Sequence, residues 1–91
     1  MEEETNTIFI GKKNTMAYVL AVITQFNQGA EEVVIKARGK TISKAVDVSE
    51  IVKNKFVNTL KVKNIIISTE EIITGNDTPM KVSAIEIQLL K

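Results

Sequence analysis

Apolar and polar positions alternate along this chain with two different periods, and the change of period divides the sequence into six elements. Short runs rich in β-branched residues predict strands, and apolar residues spaced three and four apart predict amphipathic helices. The predicted strands span residues 7–10, 32–38, 60 to 72 or 73, and 80–90, and the predicted helices span 15–28 and 41 or 43 to about 56. The predicted order is therefore β-α-β-α-β-β.

Local signals support several of these boundaries. Asn14 is a suitable N-cap for the first helix, and Gly29 is suited to the left-handed position that ends it. The polar run 74–79 predicts a turn between the last two strands. Within the last strand the apolar positions change phase, which predicts a β-bulge near Ser83 and Ala84.

These elements predict an α+β fold, a two-layer sandwich with both helices on one face of the sheet. The chain has 91 residues, and residues 7–91 are expected to form a single domain after an acidic flexible tail at residues 1–6. The last two strands are much longer than the first strand requires. The third and fourth predicted strands are therefore expected to form a hairpin that projects from the body.

The content of titratable residues excludes several kinds of chemistry. The chain has no Cys and no His, so cysteine nucleophiles, histidine bases and Cys/His metal sites are excluded. Asp47 and Glu50 lie three residues apart on a polar helix face, where solubilising charges are more common than catalytic carboxylates. We expect no catalytic residues, no metal site and no cofactor, and hence no enzyme.

Basic residues concentrate in the middle of the chain. Residues 12–64 carry ten basic and four acidic side chains, although the formal net charge of the whole is only +1. Two predicted strand-to-helix turns carry cations, Gly11-Lys12-Lys13 and the run from Lys36 to Lys44. Either could be an ordinary solvated turn. Cations delivered twice beside helix N-termini nevertheless favour a polyanionic ligand, with nucleic acid as the leading candidate.

The candidate contact residues are cations at these turns and on the hairpin. They are Lys12, Lys13, Arg38, Lys40, Lys44 and, on the hairpin, Lys81. Gly39, in the middle of the second turn, is expected to meet a backbone requirement, either a positive φ or a tight approach. Phe9, Tyr18 and Phe26 occupy core-like positions, so binding is expected to be directed at phosphates with little base readout.

Several segments together resemble archaeal Alba proteins. They are Ile10-Gly11-Lys12-Lys13, Tyr18-Val19-Leu20-Ala21, Asn27-Gln28-Gly29, Lys36-Ala37-Arg38-Gly39-Lys40, Ile42-Ser43-Lys44-Ala45-Val46-Asp47 and Glu50-Ile51-Val52-Lys53-Asn54-Lys55-Phe56. The resemblance covers about residues 7–91 and is closest in the first two-thirds. It implies a small dimeric DNA- and RNA-binding chromatin protein, whose fold is similar to the C-terminal domain of translation initiation factor 3.

The resemblance also implies roles for individual residues. Lys12 and Lys13 match a lysine pair that contacts nucleic acid, with Lys12 as the acetylation position. Phe56, which the pattern alone would place in the core, matches an aromatic residue at the contact between neighbouring dimers on DNA. The hairpin arms would extend towards neighbouring grooves. Here the hairpin tip has only Lys81 nearby, where relatives from hot environments usually carry extra arginines.

Two other functions remain open at this point. The same basic surface would suit an RNA-binding ribonucleoprotein subunit, and the sheet edges with Phe56 would suit a protein-assembly module without nucleic-acid affinity. No apolar stretch approaches the length of about 18 residues that suggests a membrane span, and the chain starts with acidic residues. We therefore expect a chromosome-associated protein in the cytoplasm, with no membrane partner.

Overall fold

The computed structural model describes residues 6–91 and contains the predicted elements in the predicted order. They are β1 (Thr7–Phe9), α1 (Thr15–Asn27), β2 (Glu32–Arg38), α2 (Ile42–Ile51), β3 (Lys61–Ile73) and β4 (Pro79–Leu90). A 3-10 turn at Gly39–Thr41 leads into α2, and a π-helical turn at Val52–Phe56 continues it. Residues 1–5, most of the predicted acidic tail, lie outside the described residues.

The helices begin and end for reasons visible in the sequence. The side chain of Asn14 accepts a hydrogen bond from the Ala17 N–H at 2.9 Å, which satisfies one of the free donors in the first turn of α1. Gly29 has a φ of 103°, the left-handed conformation that the sequence predicted for it. Both boundary predictions are confirmed.

The four strands form one sheet in the order β1-β2-β4-β3. β1 pairs with β2 in parallel, and the other neighbours are antiparallel. Because α1 connects two parallel strands, the turns that follow β1 and β2 come to the same edge of the sheet. This topology brings the two basic turns together.

The core lies between the helices and one face of the sheet. Alternate residues of β2 are buried there, as the pleat requires. The fully buried side chains of this core are contributed by both helices, β2, β4 and the π-helical turn: Phe26, Ile35, Leu89, Val19, Val22, Val33, Val48 and Val52. The two-layer α+β prediction is confirmed.

One prediction about the core is wrong. Phe9 was expected at a core position, but its side chain is 66% exposed. It pairs across the sheet with Lys36, on the face opposite the helices, whereas its neighbour Ile8 pairs with the buried Ile35. The run 7–10 does not alternate between apolar and polar residues, so the sequence does not indicate which of its side chains face the helices.

The β3–β4 hairpin projects beyond the rest of the sheet. β2 covers β4 only from Ala84 to Leu90, so the segments 69–73 and 79–83 pair with each other alone. At about 3.4 Å per residue, this free arm is about 17 Å long.

The bulge predicted near Ser83 and Ala84 is wrong. Pairing of β4 with β3 is unbroken along the hairpin, and the irregularity lies between Val62 and Asn64 in β3. The phase change in β4 has another cause: Met80 and Val82 lie on the arm, outside the part of β4 that β2 covers. Their apolar side chains therefore do not indicate which face meets the core.

Candidate nucleic-acid interface

The first basic turn, Gly11-Lys12-Lys13, is held by the hydroxyl group of Tyr18. The Gly11 and Lys13 N–H groups donate hydrogen bonds to Tyr18 Oη, at 2.8 and 3.1 Å. The Tyr18 side chain is buried against the core. A Cβ atom added at Gly11 would lie 3.2 Å from the same oxygen, so glycine suits this close approach. The turn is therefore anchored to α1 through its backbone.

Lys44 holds the same turn from α2. Its Nζ atom donates hydrogen bonds to the carbonyl oxygens of Gly11, at 2.9 Å, and of Lys13, at 2.8 Å. The ammonium group also lies 5.8 Å from the centre of the Tyr18 ring. Two of its three N–H groups are used within the protein. This geometry gives Lys44 a positioning role, which we expect to be its main one. The contact with nucleic acid that the sequence predicted for it is not tested by the structure.

With the backbone fixed from both sides, the side chains of Lys12 and Lys13 point away from the core and are exposed. The turn leads directly into α1, whose first N–H groups carry a partial positive charge. A phosphate bound here would meet two ammonium groups and a helix N-terminus. The predicted contacts of Lys12 and Lys13 are consistent with this exposure and stay predictions.

The second basic turn is fixed by a hydroxyl group and a glycine. Thr41 Oγ1 donates to the Arg38 carbonyl oxygen at 2.8 Å and accepts from the Arg38 N–H at 3.3 Å. Gly39 has a φ of 54° and no heavy atom within 4 Å of an added Cβ, so the positive φ, and not a tight approach, is the reason for glycine here. Lys40 is exposed on this turn.

Arg38 is oriented by an acidic residue at the base of the arm. Its Nε atom lies 2.6 Å from Glu70 Oε1, and both side chains are partly exposed. A single Nε contact leaves the terminal nitrogens of the guanidinium group for other acceptors. The ion pair joins the second turn to the root of the hairpin, so Arg38 connects two predicted parts of the interface.

The structure thus brings five of the six predicted cations to one edge of the sheet and separates the sixth from them. Lys12, Lys13, Arg38 and Lys40 lie on the two turns at the shared edge, and Lys44 of α2 reaches the first turn with its ammonium group. Lys81 is exposed on the projecting arm, opposite Glu71 in β3.

A separate surface on the side of α2 and β3 is apolar and exposed. Ile65 and Ile67 project from β3, an edge strand, with 54% and 78% of their area exposed, and Val46 of α2 is 44% exposed. A shallow groove that joins the two elements is lined by Ile42, Ile67 and Ile85. Such a surface is typical of a protein contact. Phe56, at the end of the π-helical turn, is 49% exposed, so it is not a core residue.

Sequence reasoning missed four features of the site, all of which depend on contacts between distant elements. They are the role of the Tyr18 hydroxyl, the hydrogen bonds of Lys44 to the first turn, the ion pair of Arg38 with Glu70, and the exposed ring of Phe9 beside Lys36. One signal was available for Phe9: in β2, Lys36 and Arg38 have the opposite phase to Ile35 and Ala37, so that face of the sheet is polar and open.

Among residues 6–91, no group of three or more carboxylate side chains is arranged to hold a metal ion. In the same part of the chain, no helix is long and apolar enough to cross a membrane.

Comparison with known proteins gives consistent matches. The family model described as Alba matches residues 6–69. The DNA/RNA-binding protein Alba 1 of Archaeoglobus fulgidus is 58% identical over 86 residues, which cover 94% of this chain and 96% of that protein.

Solved structures give the same result. The structure of Alba from Thermoplasma volcanium superposes with a TM-score of 0.90 at 53% identity, covering 94% of this chain and all of the other. ALBA1 from Trypanosoma brucei superposes with a TM-score of 0.80 at 26% identity, covering 99% of this chain and 72% of the other.

Proposed function

Because this chain belongs to the Alba family, we propose that it binds duplex DNA as a homodimer, organises it as chromatin, and also binds RNA. The relatives described above include a protein named for DNA and RNA binding. The observation that carries the proposal is the first turn: Tyr18 and Lys44 hold its backbone and leave the side chains of Lys12 and Lys13 exposed.

The mechanism is electrostatic. Lys12, Lys13, Arg38 and Lys40 meet backbone phosphates and release condensed counterions, and Lys44 keeps the first turn in position. If a dimer neutralises about four to eight phosphates, the log–log slope of affinity against salt is about −4 to −7. Contacts of this kind orient the protein on the duplex without reading its sequence.

A dimer is supported by the apolar surface on α2 and β3. Ile65 and Ile67 are uncharged and exposed on an edge strand. Leaving their apolar surface in water costs free energy, which a second subunit would recover by covering it. Covering them with a second subunit would bring two sets of basic turns into one particle. The two hairpin arms, each with Lys81, would then reach along the duplex.

Two further roles complete the proposal. Phe56 mediates contact between neighbouring dimers on DNA, which its 49% exposure permits. Lys12 is the acetylation position, where loss of one positive charge weakens binding and reduces the salt slope by about one unit. The protein is expected in the cytoplasm on the chromosome, with no membrane partner, and it has no catalytic role.

The direct test is fluorescence anisotropy with a DNA duplex of about 25 base pairs and a matching RNA duplex at several salt concentrations. Both duplexes are expected to bind, with a steep salt dependence. A strong preference for the RNA duplex would instead favour a ribonucleoprotein subunit. Affinity that does not change with salt would favour the assembly module.

A further inference from the structure

The face of the sheet opposite the helices presents an exposed aromatic ring among charged side chains. The pairing register aligns Phe9, Lys36, Glu86 and Ile66 in one row across all four strands. Phe9 is 66% exposed, and Lys36 Nζ lies 5.9 Å from the centre of its ring. Two-thirds of the Phe9 side chain is therefore open to a ligand on this face of the sheet.

This row forms the floor of a groove that reaches the basic turns. The groove has a volume of about 550 Å³, and its lining includes Lys12, Arg38, Ser68 and Glu70 as well as the row through Phe9. The groove therefore combines an aromatic surface with cations from both turns. The volume is sufficient for a planar heterocycle with an attached sugar.

We propose that this groove binds an unpaired base of single-stranded RNA, stacked on the ring of Phe9. The inference rests on the proposed function, since it assumes that Lys12 and Arg38 meet phosphates of the same strand. Stacking on an aromatic side chain requires a base whose face is free. A duplex hides its base faces, so duplex binding would use the turns without Phe9.

The charges of the groove fit a nucleotide. Glu86 Oε1 lies 3.8 Å from Lys36 Nζ, and Glu70 Oε1 lies 2.6 Å from Arg38 Nε. A cation therefore offsets the charge of each carboxylate. Carboxylate oxygens accept hydrogen bonds from exocyclic amino groups and from the 2′-hydroxyl group. Cytosine has such an amino group and uracil does not. Oligocytidylate is therefore expected to bind more tightly than oligouridylate.

A tryptophan variant makes the stacking observable. The chain has no Trp, so Phe9→Trp introduces a single tryptophan that keeps an aromatic face in the groove. Oligocytidylate of about 12 nucleotides should quench its fluorescence, and an RNA duplex at equal occupancy should not. Leu20→Trp is the matched control: Leu20 is 57% exposed on α1, on the other side of the sheet, and its variant should give no quenching by either RNA.

Affinity measurements complete the test. Because a base–aromatic stack contributes strongly, Phe9→Leu and Phe9→Ala should bind oligocytidylate roughly 5- to 150-fold more weakly. Phe9→Trp should restore the affinity, and duplex affinity should be unchanged in all three. The inference would be overturned if oligocytidylate did not quench the fluorescence of Phe9→Trp. It would also be overturned if Phe9→Leu bound oligocytidylate as tightly as wild type does.

A different result would contradict the proposed function, which is binding of a duplex through the basic turns. If wild type does not bind the duplex, or Lys12→Ala/Lys13→Ala binds it as wild type does, the phosphate site on the turns is wrong. The comparison between the Phe9 variants and wild type on oligocytidylate can still be made in that case.

Discussion

At the scale of single residues, the interface depends on two side chains that present the turn without needing to touch the ligand. Tyr18 accepts two hydrogen bonds from the first turn, and Lys44 donates two to it. Lysines on a loose turn would lose conformational freedom when they bind a phosphate. A turn that is held in place reduces that cost.

Removing the hydroxyl of Tyr18 tests this anchor. Tyr18→Phe keeps the ring in the core but leaves the Gly11 and Lys13 N–H groups without their acceptor. We expect a loss of about 1–2 kcal/mol in the free energy of unfolding, measured by urea denaturation. Lys12→Ala, which changes an exposed side chain of the same turn, should leave the unfolding free energy essentially unchanged. Equal stability of Tyr18→Phe and wild type would contradict the anchoring role.

Lys44 and Lys40 offer a matched pair of substitutions. Lys44→Gln removes hydrogen bonds to two carbonyl oxygens, so it should lower the melting temperature and leave the salt slope of DNA binding nearly unchanged. Lys40→Gln should leave the melting temperature nearly unchanged. It should reduce the magnitude of the salt slope by about one unit for each subunit in contact. A slope that falls as much in Lys44→Gln as in Lys40→Gln would show that Lys44 contacts phosphate directly.

The sequence predicted the exposed cations of the turns but not the contacts that fix them. Lys12, Lys13 and Lys40 were found because polar residues that interrupt apolar runs mark turns. The bonds of Lys44 to the first turn join residues more than thirty positions apart. Such contacts depend on how α2 packs beside α1, which no local pattern encodes.

At the scale of elements, β3 has two structurally different halves. Its first half carries the exposed Ile65 and Ile67 beside α2, and its second half forms the free arm with β4. An exposed apolar edge strand tends to associate. Here the neighbouring helix would give the proposed association a defined surface.

A charge on this surface should prevent dimer formation. Ile67 is 78% exposed in the subunit, so Ile67→Glu should not disturb folding but should bury an unpaired charge in a dimer. Sedimentation equilibrium is expected to give a dimer for wild type and a monomer for Ile67→Glu. Leu20→Glu, on the exposed side of α1, should remain dimeric. Wild type that sediments as a monomer would refute the proposed assembly.

Element boundaries followed from local chemistry, whereas register did not. The capping side chain of Asn14 and the positive φ of Gly29 act within one turn of helix, so the sequence was sufficient for both. A bulge was wrongly predicted in β4 because the apolar side chains of its arm resemble a change of phase, and the actual irregularity lies between Val62 and Asn64 in β3. Whether a strand lies over the core is a property of the whole sheet.

At the scale of the molecule, the parallel pair β1–β2 brings both basic turns to one edge, and a dimer would double their number. In the proposed assembly, Phe56 lies where neighbouring dimers meet on DNA. Phe56→Ala should leave affinity for a short duplex unchanged, because no phosphate contact is lost. On long DNA the same variant should bind with reduced cooperativity, measured by titration of a DNA of several hundred base pairs. Unchanged cooperativity would exclude Phe56 from this contact.

The central claim is that the first turn binds phosphate, and the salt dependence of duplex DNA binding tests it most directly. Anisotropy titrations of wild type and Lys12→Ala/Lys13→Ala would be run at several salt concentrations. We predict a wild-type slope of about −4 to −7, reduced by about two units for each contacting subunit in the variant. The same slope in both proteins, or no duplex binding by wild type at low salt, would contradict the account.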